Sequence, residues 1–250
     1  MTTRSADPAI PAIHFDDYAK HYDAALHRGL AATGETKDYF ARGRIEWVGR
    51  CLRELSFQPA RIMDFGCGDG SSSELLLSLA GAQSLSGVDT SGKSLELASR
   101  LHGSPGTSFR LIDNNVPREE FDLVYCNGVF HHIPLADRVS AAQYIWQSLR
   151  PGGMFAFWEN NPRNPGSRYV MWKIPFDRDA IPLWPRQATK LVQSAGFEIV
   201  RRNSLFYFPQ ILKSLRWMEP HLAPLLFGGQ YLLLCRKPER SFSHHSADPA

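Results

Sequence analysis

The sequence predicts an α/β fold: a doubly wound seven-stranded sheet, mostly parallel with one antiparallel edge strand, and helices on both faces. Three observations carry this prediction. Short apolar runs alternate with stretches of helical periodicity between residues 60 and 197, and parallel strands need helical crossovers of that kind. A loop with glycines at 66, 68 and 70 follows the first of these runs, at the carboxyl end of a strand, where doubly wound sheets bind ligands. The last two apolar runs lack a helix between them and suit an antiparallel pair at one edge.

The elements follow in order. "FDDYAKHYDAAL" (15–26) and "DYFARGRIEWVGRCLREL" (38–55) carry apolar residues at helical spacing. "ARIMDFG" (60–66) reads as a buried strand, and "SSSELLLSLAG" (71–81) as a helix with a serine to cap it and a glycine to end it. "SLSGVDT" (84–90), "TSFRLIDNN" (107–115), "FDLVYCNGVF" (121–130) and "MFAFWEN" (154–160) are further strands. "SGKSLELASRLH" (91–102), "LADRVSAAQYIWQSLRPGG" (135–153) and "WPRQATKLVQSAGF" (184–197) are the helical stretches between and after them. "EIVRRNSLFYF" (198–208) and "QYLLLCRK" (230–237) complete the sheet.

These 250 residues are expected to form one domain over 13–237, with a helical cap at 13–56 and inserts at 160–184 and 209–228. The ends, 1–12 and 238–250, are rich in Ser, Ala, Asp and Pro and read as disordered tails. Hydrophobic residues make up 43 % and charged residues 21 % of the chain, an ordinary soluble balance. The net charge of +3 and the lack of a dense Lys/Arg run argue against a nucleic-acid partner. No apolar run reaches the length of a membrane span and the first residues lack a signal-peptide core, so no stable membrane insertion and a cytoplasmic location are expected. Cys51, Cys67, Cys126 and Cys235 are scattered without CxxC pairing, which suggests neither disulfides nor a zinc site; no metal is expected.

The glycine loop fails two common patterns. A dinucleotide fingerprint needs glycine at the sixth position from Gly66, and Ser71 stands there; a P-loop needs Gly-Lys-Ser/Thr. Instead "DFGCGDG" (64–70) resembles the first motif of class I S-adenosylmethionine-dependent methyltransferases, an acid followed by G-x-G-x-G. "GVDTS", "LIDNN", "CNGVFHHIP" and "LRPGGMFAF" resemble the later motifs in the same order, covering residues 60–160. The resemblance implies S-adenosylmethionine as cofactor, held by Asp64, Gly66, Cys67, Gly68, Asp89, Thr90, Asp113, Asn114 and Asn127. Asp89 would accept from the ribose hydroxyls, and Asp113 or Asn114 would read the adenine edge. It also implies a cap in which Tyr22 and Asp23 close over the cofactor, with Arg42 or Arg44 as a charged donor to its carboxylate.

Methyl transfer needs alignment of acceptor and sulfonium more than a fixed catalyst, and a base only if the acceptor must lose a proton. His132 and His131 are the candidates for catalysis or positioning. The insert after the fifth strand offers Glu159, Asn160, Arg163 and Trp172 toward a small-molecule acceptor. Candidate acceptors include a lipid-linked or glycosylated intermediate, a natural product and a quinone-like aromatic, and the sequence selects neither among them nor among O, N and C as the atom methylated. The segment 209–228 is amphipathic; it could close the pocket, contact a second copy in a homodimer or rest on a membrane surface. A non-catalytic cofactor-binding relative and a nicotinamide-dependent oxidoreductase are the alternatives, the latter opposed by Ser71.

Overall fold

The computed structural model describes residues 22–114, 117–178 and 180–239. A short cap precedes the sheet: α1 (Tyr22–Leu30), a 3-10 turn (Ala31–Thr33) and α2 (Lys37–Glu54). The hydroxyl of Thr36 accepts from the Tyr39 N–H at 3.2 Å and so caps α2. The sheet then builds as β1 (Arg61–Phe65), β2 (Ser84–Asp89), β3 (Thr107–Leu111), β4 (Phe121–Asn127), β5 (Leu149–Asn160), β6 (Glu198–Leu205) and β7 (Gln230–Arg236). Helices α3 (Ser73–Leu77), α4 (Gly92–His102), α5 (Arg138–Ser148), α6 (Pro165–Lys173), α7 (Pro185–Ser194) and α8 (Glu219–Leu222) fill the connections.

The seven strands lie in the order β3-β2-β1-β4-β5-β7-β6. The first five pair in parallel, and β7 runs antiparallel to both β5 and β6. β7 is therefore inserted one place in from the edge, and β6 is outermost. Burial explains the choice: Tyr231 through Cys235 are fully buried, as an interior strand requires, whereas the first half of β6 is exposed or half-buried. The order reverses between β1 and β4, which leaves a crevice beyond their carboxyl ends.

Alternation along the strands splits the core in two. Met63, Phe65, Val124, Cys126, Phe155 and Phe157 pack under α5 and α7 on one face. Ile62, Leu123, Tyr125, Ala156 and Trp158 pack under α2 and α3 on the other. Each fully buried Leu or Phe side chain in these layers contributes about 1.5–3 kcal/mol.

Three boundaries differ from the sequence reading. The 71–81 helix shrinks to Ser73–Leu77, and Ser72 at its N-cap makes no side-chain bond, because the glycine loop supplies the Gly70 carbonyl to the Ser73 N–H instead. The Pro-Gly-Gly stretch, expected at the end of the 135–153 helical stretch, is instead part of the bulged start of β5, where the ladder with β4 slips between Phe121 and Leu123. "LIDNN" leaves the sheet after Leu111 in a 3-10 turn, Ile112–Asn114. The expected tails fall outside the described residues except for Pro238 and Glu239.

Candidate active site

Gly66, Gly68 and Gly70 all have positive φ, 74°, 53° and 76°, so the loop needs glycine at each. A Cβ on Gly66 would lie 2.4 Å from Val129, while one on Gly68 would meet no atom within 4 Å. Gly68 thus presents bare backbone to open space, the cradle a nucleotide-like ligand fills. Its N–H donates to Oδ2 of Asp89 at 2.8 Å, and the Ser91 N–H donates to Oδ1 at 2.9 Å. A carboxylate accepts up to about four hydrogen bonds, the chemistry that suits ribose hydroxyls.

Beneath the loop, Asp64 is buried, and among the described residues no hydrogen bond reaches its carboxyl. Burial raises its pKa to about 7, helped by the charges of Asp89 and Asp69 and opposed by Arg44. Arg44, itself buried on α2, donates to the Tyr125 hydroxyl at 3.2 Å and to Gln230 at 2.9 Å. Arg42 is exposed. Lys37 pairs with Asp69 at 2.8 Å and ties the start of α2 to the glycine loop. Burial works to raise the Asp69 pKa, but the Lys37 charge and the bonds from Lys37 and Ser71 outweigh it and hold the group below its ordinary value. Burial drives the Cys67 thiol far up, which makes it a poor nucleophile.

Beyond β4 and β5 opens a cleft of about 590 Å³. Its apolar walls come from the cap (Leu30, Phe40), from α6 (Val170) and from Phe206. Tyr39, Phe40 and Phe206 stack edge to face, with Phe40 and Phe206 4.8 Å apart. The first insert lines one wall, and the chain leaving β6, Phe206 to Pro209, lines another. Val170, Ile174, Phe176 and Leu26 make a small core joining α6 to α1. On the other side, the Glu219 carboxylate accepts from the N–H groups of Phe206, Tyr207 and Phe208 at 3.1–3.2 Å. A smaller hollow of about 260 Å³ beside Leu52 and Leu79 lies before β1, away from this crevice.

One polar pole of the cleft is a cluster of His131, His132, Asp177 and Glu159. Glu159 is fully enclosed; one oxygen accepts from the Phe130 N–H at 2.8 Å and the other lies 2.6 Å from His131 Nδ1. Asp177 Oδ1 lies 3.4 Å from His131 Nε2 and 3.2 Å from His132 Nε2. Burial works to lower the His131 pKa, but the charge of Glu159 and the bonds to both carboxylates prevail and raise it to about 10. His132 is lowered, first by burial and then by the charge of His131. Burial works to raise Asp177, yet bonds from the two imidazoles bring it down to about 2.

The cleft therefore gathers Asn127, His131, His132 and Asn160, while Glu159 sits behind His131. Asn127 Oδ1 is buried with no partner, an orphaned acceptor facing the crevice where a cofactor would supply the donor. Thr90, just after β2, and Asp113, in the 3-10 turn after β3, are both exposed. Arg163 and Trp172 lie off the cleft lining, and Trp172 is largely exposed, with the Lys173 ammonium over its ring. The side chains of Tyr22, Asp23 and Asn114 fall outside the described residues. Asp177, Lys37 and Phe206 were not singled out from sequence. Asp177 lies 18 residues past Glu159 in an insert with no motif, and only folding brings it to His131.

A glycine cradle beside a strand-end acid, under a capped cleft on a doubly wound sheet, defines a nucleotide-cofactor transferase of the methyltransferase class. Comparisons with known proteins agree. Residues 63–155 match the family model described as a methyltransferase domain. A ubiquinone biosynthesis O-methyltransferase of Bordetella avium is 30 % identical over 184 residues, covering 66 % of this chain and 73 % of that protein. A trans-aconitate 2-methyltransferase of Rhizobium leguminosarum is 37 % identical over 131 residues, covering 48 % and 50 %. Human N-acetylserotonin methyltransferase, solved with S-adenosylmethionine, shares the fold with a TM-score of 0.62 at 17 % identity, over 92 % of this chain and 60 % of that one. The chain belongs to the class I S-adenosylmethionine-dependent methyltransferases. No helix among the described residues is long and apolar enough to cross a membrane.

Proposed function

We propose that the enzyme methylates an oxygen of a small acceptor bound in the 590 Å³ cleft. The observation that carries this reading is the cleft's lining: aromatic and aliphatic walls, Glu35, Lys37 and Arg44 from the cap, and an ionisable cluster of His131, His132 and Asp177 beyond β4 and β5. Apolar walls grip a ring or chain, and a few placed polar groups fix its orientation. The cluster orients the acceptor's hydroxyl or carboxyl group and takes part in removing its proton. Relatives named as O-methyltransferases support the choice of oxygen over nitrogen or carbon.

Asp89, the Gly66–Gly70 loop, Asn127 and Arg44 hold the cofactor in this reading, which supplies a methyl group made electrophilic by a sulfonium. The chain's own part is to align that group with the acceptor and to exclude water. The dry walls favour a transition state in which the positive charge is dispersing. Four buried free thiols suit a reducing cytoplasm, where we place the enzyme. The exposed Ile211 and Trp217 on the 210–218 turn suit a second copy of the chain or a membrane surface.

The test is methyl transfer from S-adenosylmethionine to a panel of catechols, hydroxybenzoates and hydroxy acids, read by product mass. A gain of 14 mass units on an oxygen of at least one acceptor is expected. Methylation of amines alone would overturn the oxygen assignment.

A further inference from the structure

We infer that His131, His132 and Asp177 form a binding site for a divalent transition-metal ion that receives the acceptor's oxygens. This rests on the oxygen-methylation reading and gives it a substrate class: acceptors with two neighbouring oxygens.

Geometry is the first support. One ligand atom from each of the three residues falls within 4.8 Å of the others. The edges from Asp177 Oδ1 measure 3.4 Å to His131 Nε2 and 3.2 Å to His132 Nε2. An ion about 2.1 Å from each ligand needs ligand-to-ligand edges of about 3.0–3.4 Å. Two of the three edges already match those of a bound ion, and the third, between the imidazoles, is no longer than 4.8 Å.

The surroundings are those of a built site. Glu159 lies 2.6 Å from His131 Nδ1, the carboxylate that fixes a ligating imidazole so that its other nitrogen faces the ion. Arg138 donates to the carbonyls of Ile133 and Ile181 at 2.9 and 2.8 Å, and the Ile181 N–H donates to the His131 carbonyl at 3.0 Å. These bonds tie the insert that carries Asp177 to the loop that carries both histidines. An ion entering displaces the proton His131 carries between Glu159 and Asp177, and the two carboxylate charges left in the four-residue cluster are balanced by the dication. Two imidazoles and one carboxylate favour zinc, iron or manganese over calcium, and leave coordination positions open.

All three residues line the cleft, so the open positions face the acceptor. A hydroxyl on such an ion loses its proton to water at a lower pH than a free one. The oxygen lone pair then forms the bond to the methyl carbon as the carbon–sulfur bond breaks, and that pair stays on sulfur. A catechol or an α-hydroxy acid spans two positions and is held in register. The absence of any CxxC pattern led the sequence reading to expect no metal; a His-His pair with a distant aspartate carries no such spacing signal.

The test titrates Co2+ into the full-length, tag-free protein and follows its visible absorption, with Zn2+ as competitor. One equivalent should bind, and His132→Gln and Asp177→Asn should each weaken binding at least tenfold, with thermal melts confirming that the variants fold. Glu159→Gln should weaken it about tenfold, acting through His131. Should these variants not fold, X-ray absorption of the Zn2+-loaded wild type decides: a nitrogen and oxygen shell with imidazole scattering supports the site, and sulfur scattering overturns it. No stoichiometric Co2+ binding, or binding unchanged by the substitutions, also overturns it. S-adenosylhomocysteine binding and methylation are measured in parallel. If these persist without Co2+ binding, the metal site falls and the methyltransferase reading stands. Methylation of amines alone alongside tight Co2+ binding removes the oxygen reading and leaves the site.

Discussion

The backbone N–H of Gly68 donates to Oδ2 of Asp89 at 2.8 Å. The loop after β1 and the acid after β2 are thereby one unit, and the acid orders the loop before any ligand arrives. Asp89→Ala should act twice. It strips the acceptor from the Gly68 and Ser91 N–H groups, at about 1 kcal/mol of stability. It should also weaken S-adenosylhomocysteine binding tenfold or more, about 1.4 kcal/mol, read by calorimetry. Intact affinity in a folded Asp89→Ala protein would remove the ribose assignment.

Gly66 and Gly68 should separate folding from binding. Gly66→Ala forces a Cβ to 2.4 Å from Val129 at a φ of 74°, so its cost falls on stability, about 2 kcal/mol or more. Gly68→Ala meets no protein atom within 4 Å at a φ of 53°, so it should cost about 1 kcal/mol of stability. Its methyl group projects into the cradle and should cut cofactor affinity by more than tenfold. Paired melts and binding isotherms check the contrast; equal loss of affinity at equal stability would refute it.

What could be read from sequence was whatever has local chemistry. The glycine loop, the strand-end acids and the alternation of strand and helix are set by backbone conformation and burial within a few residues, and the structure places Asp89 against Gly68 accordingly. Asp177, Phe206 and Lys37 escaped because their meaning is tertiary: an acid in a loop, an aromatic after a strand and a surface lysine look the same wherever they point. Glu159 was legible as a polar residue at a strand end, but not as the partner of His131, since that pairing depends on β5 lying beside β4.

Glu219 should control one wall of the cleft from a distance. Its carboxylate holds three successive N–H groups, Phe206 to Phe208, including the strained Phe206 with a φ of 65°. Glu219→Ala leaves those donors without this acceptor, a loss of about 2–3 kcal/mol. Phe206 would then leave its stack with Tyr39 and Phe40, and the KM for the acceptor should rise more than kcat falls. Hydrogen exchange at 206–208 should quicken in step. Exchange unchanged in the variant would mean that other contacts hold this segment.

Asp64 should make stability fall as pH rises. Its carboxyl titrates at about 7 when folded, against an ordinary 3.8, because burial and the charges of Asp89 and Asp69 oppose ionisation. Below pH 4 the group is protonated in both states and contributes nothing. Between pH 4 and 7 the unfolded chain releases the proton while the folded chain keeps it, so the folded state loses ground. Above pH 7 both are ionised and the full cost is present, on the order of 4 kcal/mol. Asp64→Asn removes the ionisation, so its stability should exceed that of wild type at pH 8 and match it more closely at pH 4. The cationic cofactor should pull the other way, favouring the ionised carboxylate and releasing a proton on binding near pH 6.5. Calorimetry in buffers of different ionisation enthalpy reads that proton directly. Denaturant melts of both proteins from pH 4 to 8 read the stability arm, and parallel pH profiles for wild type and Asp64→Asn would show that the carboxyl is not held in its neutral form.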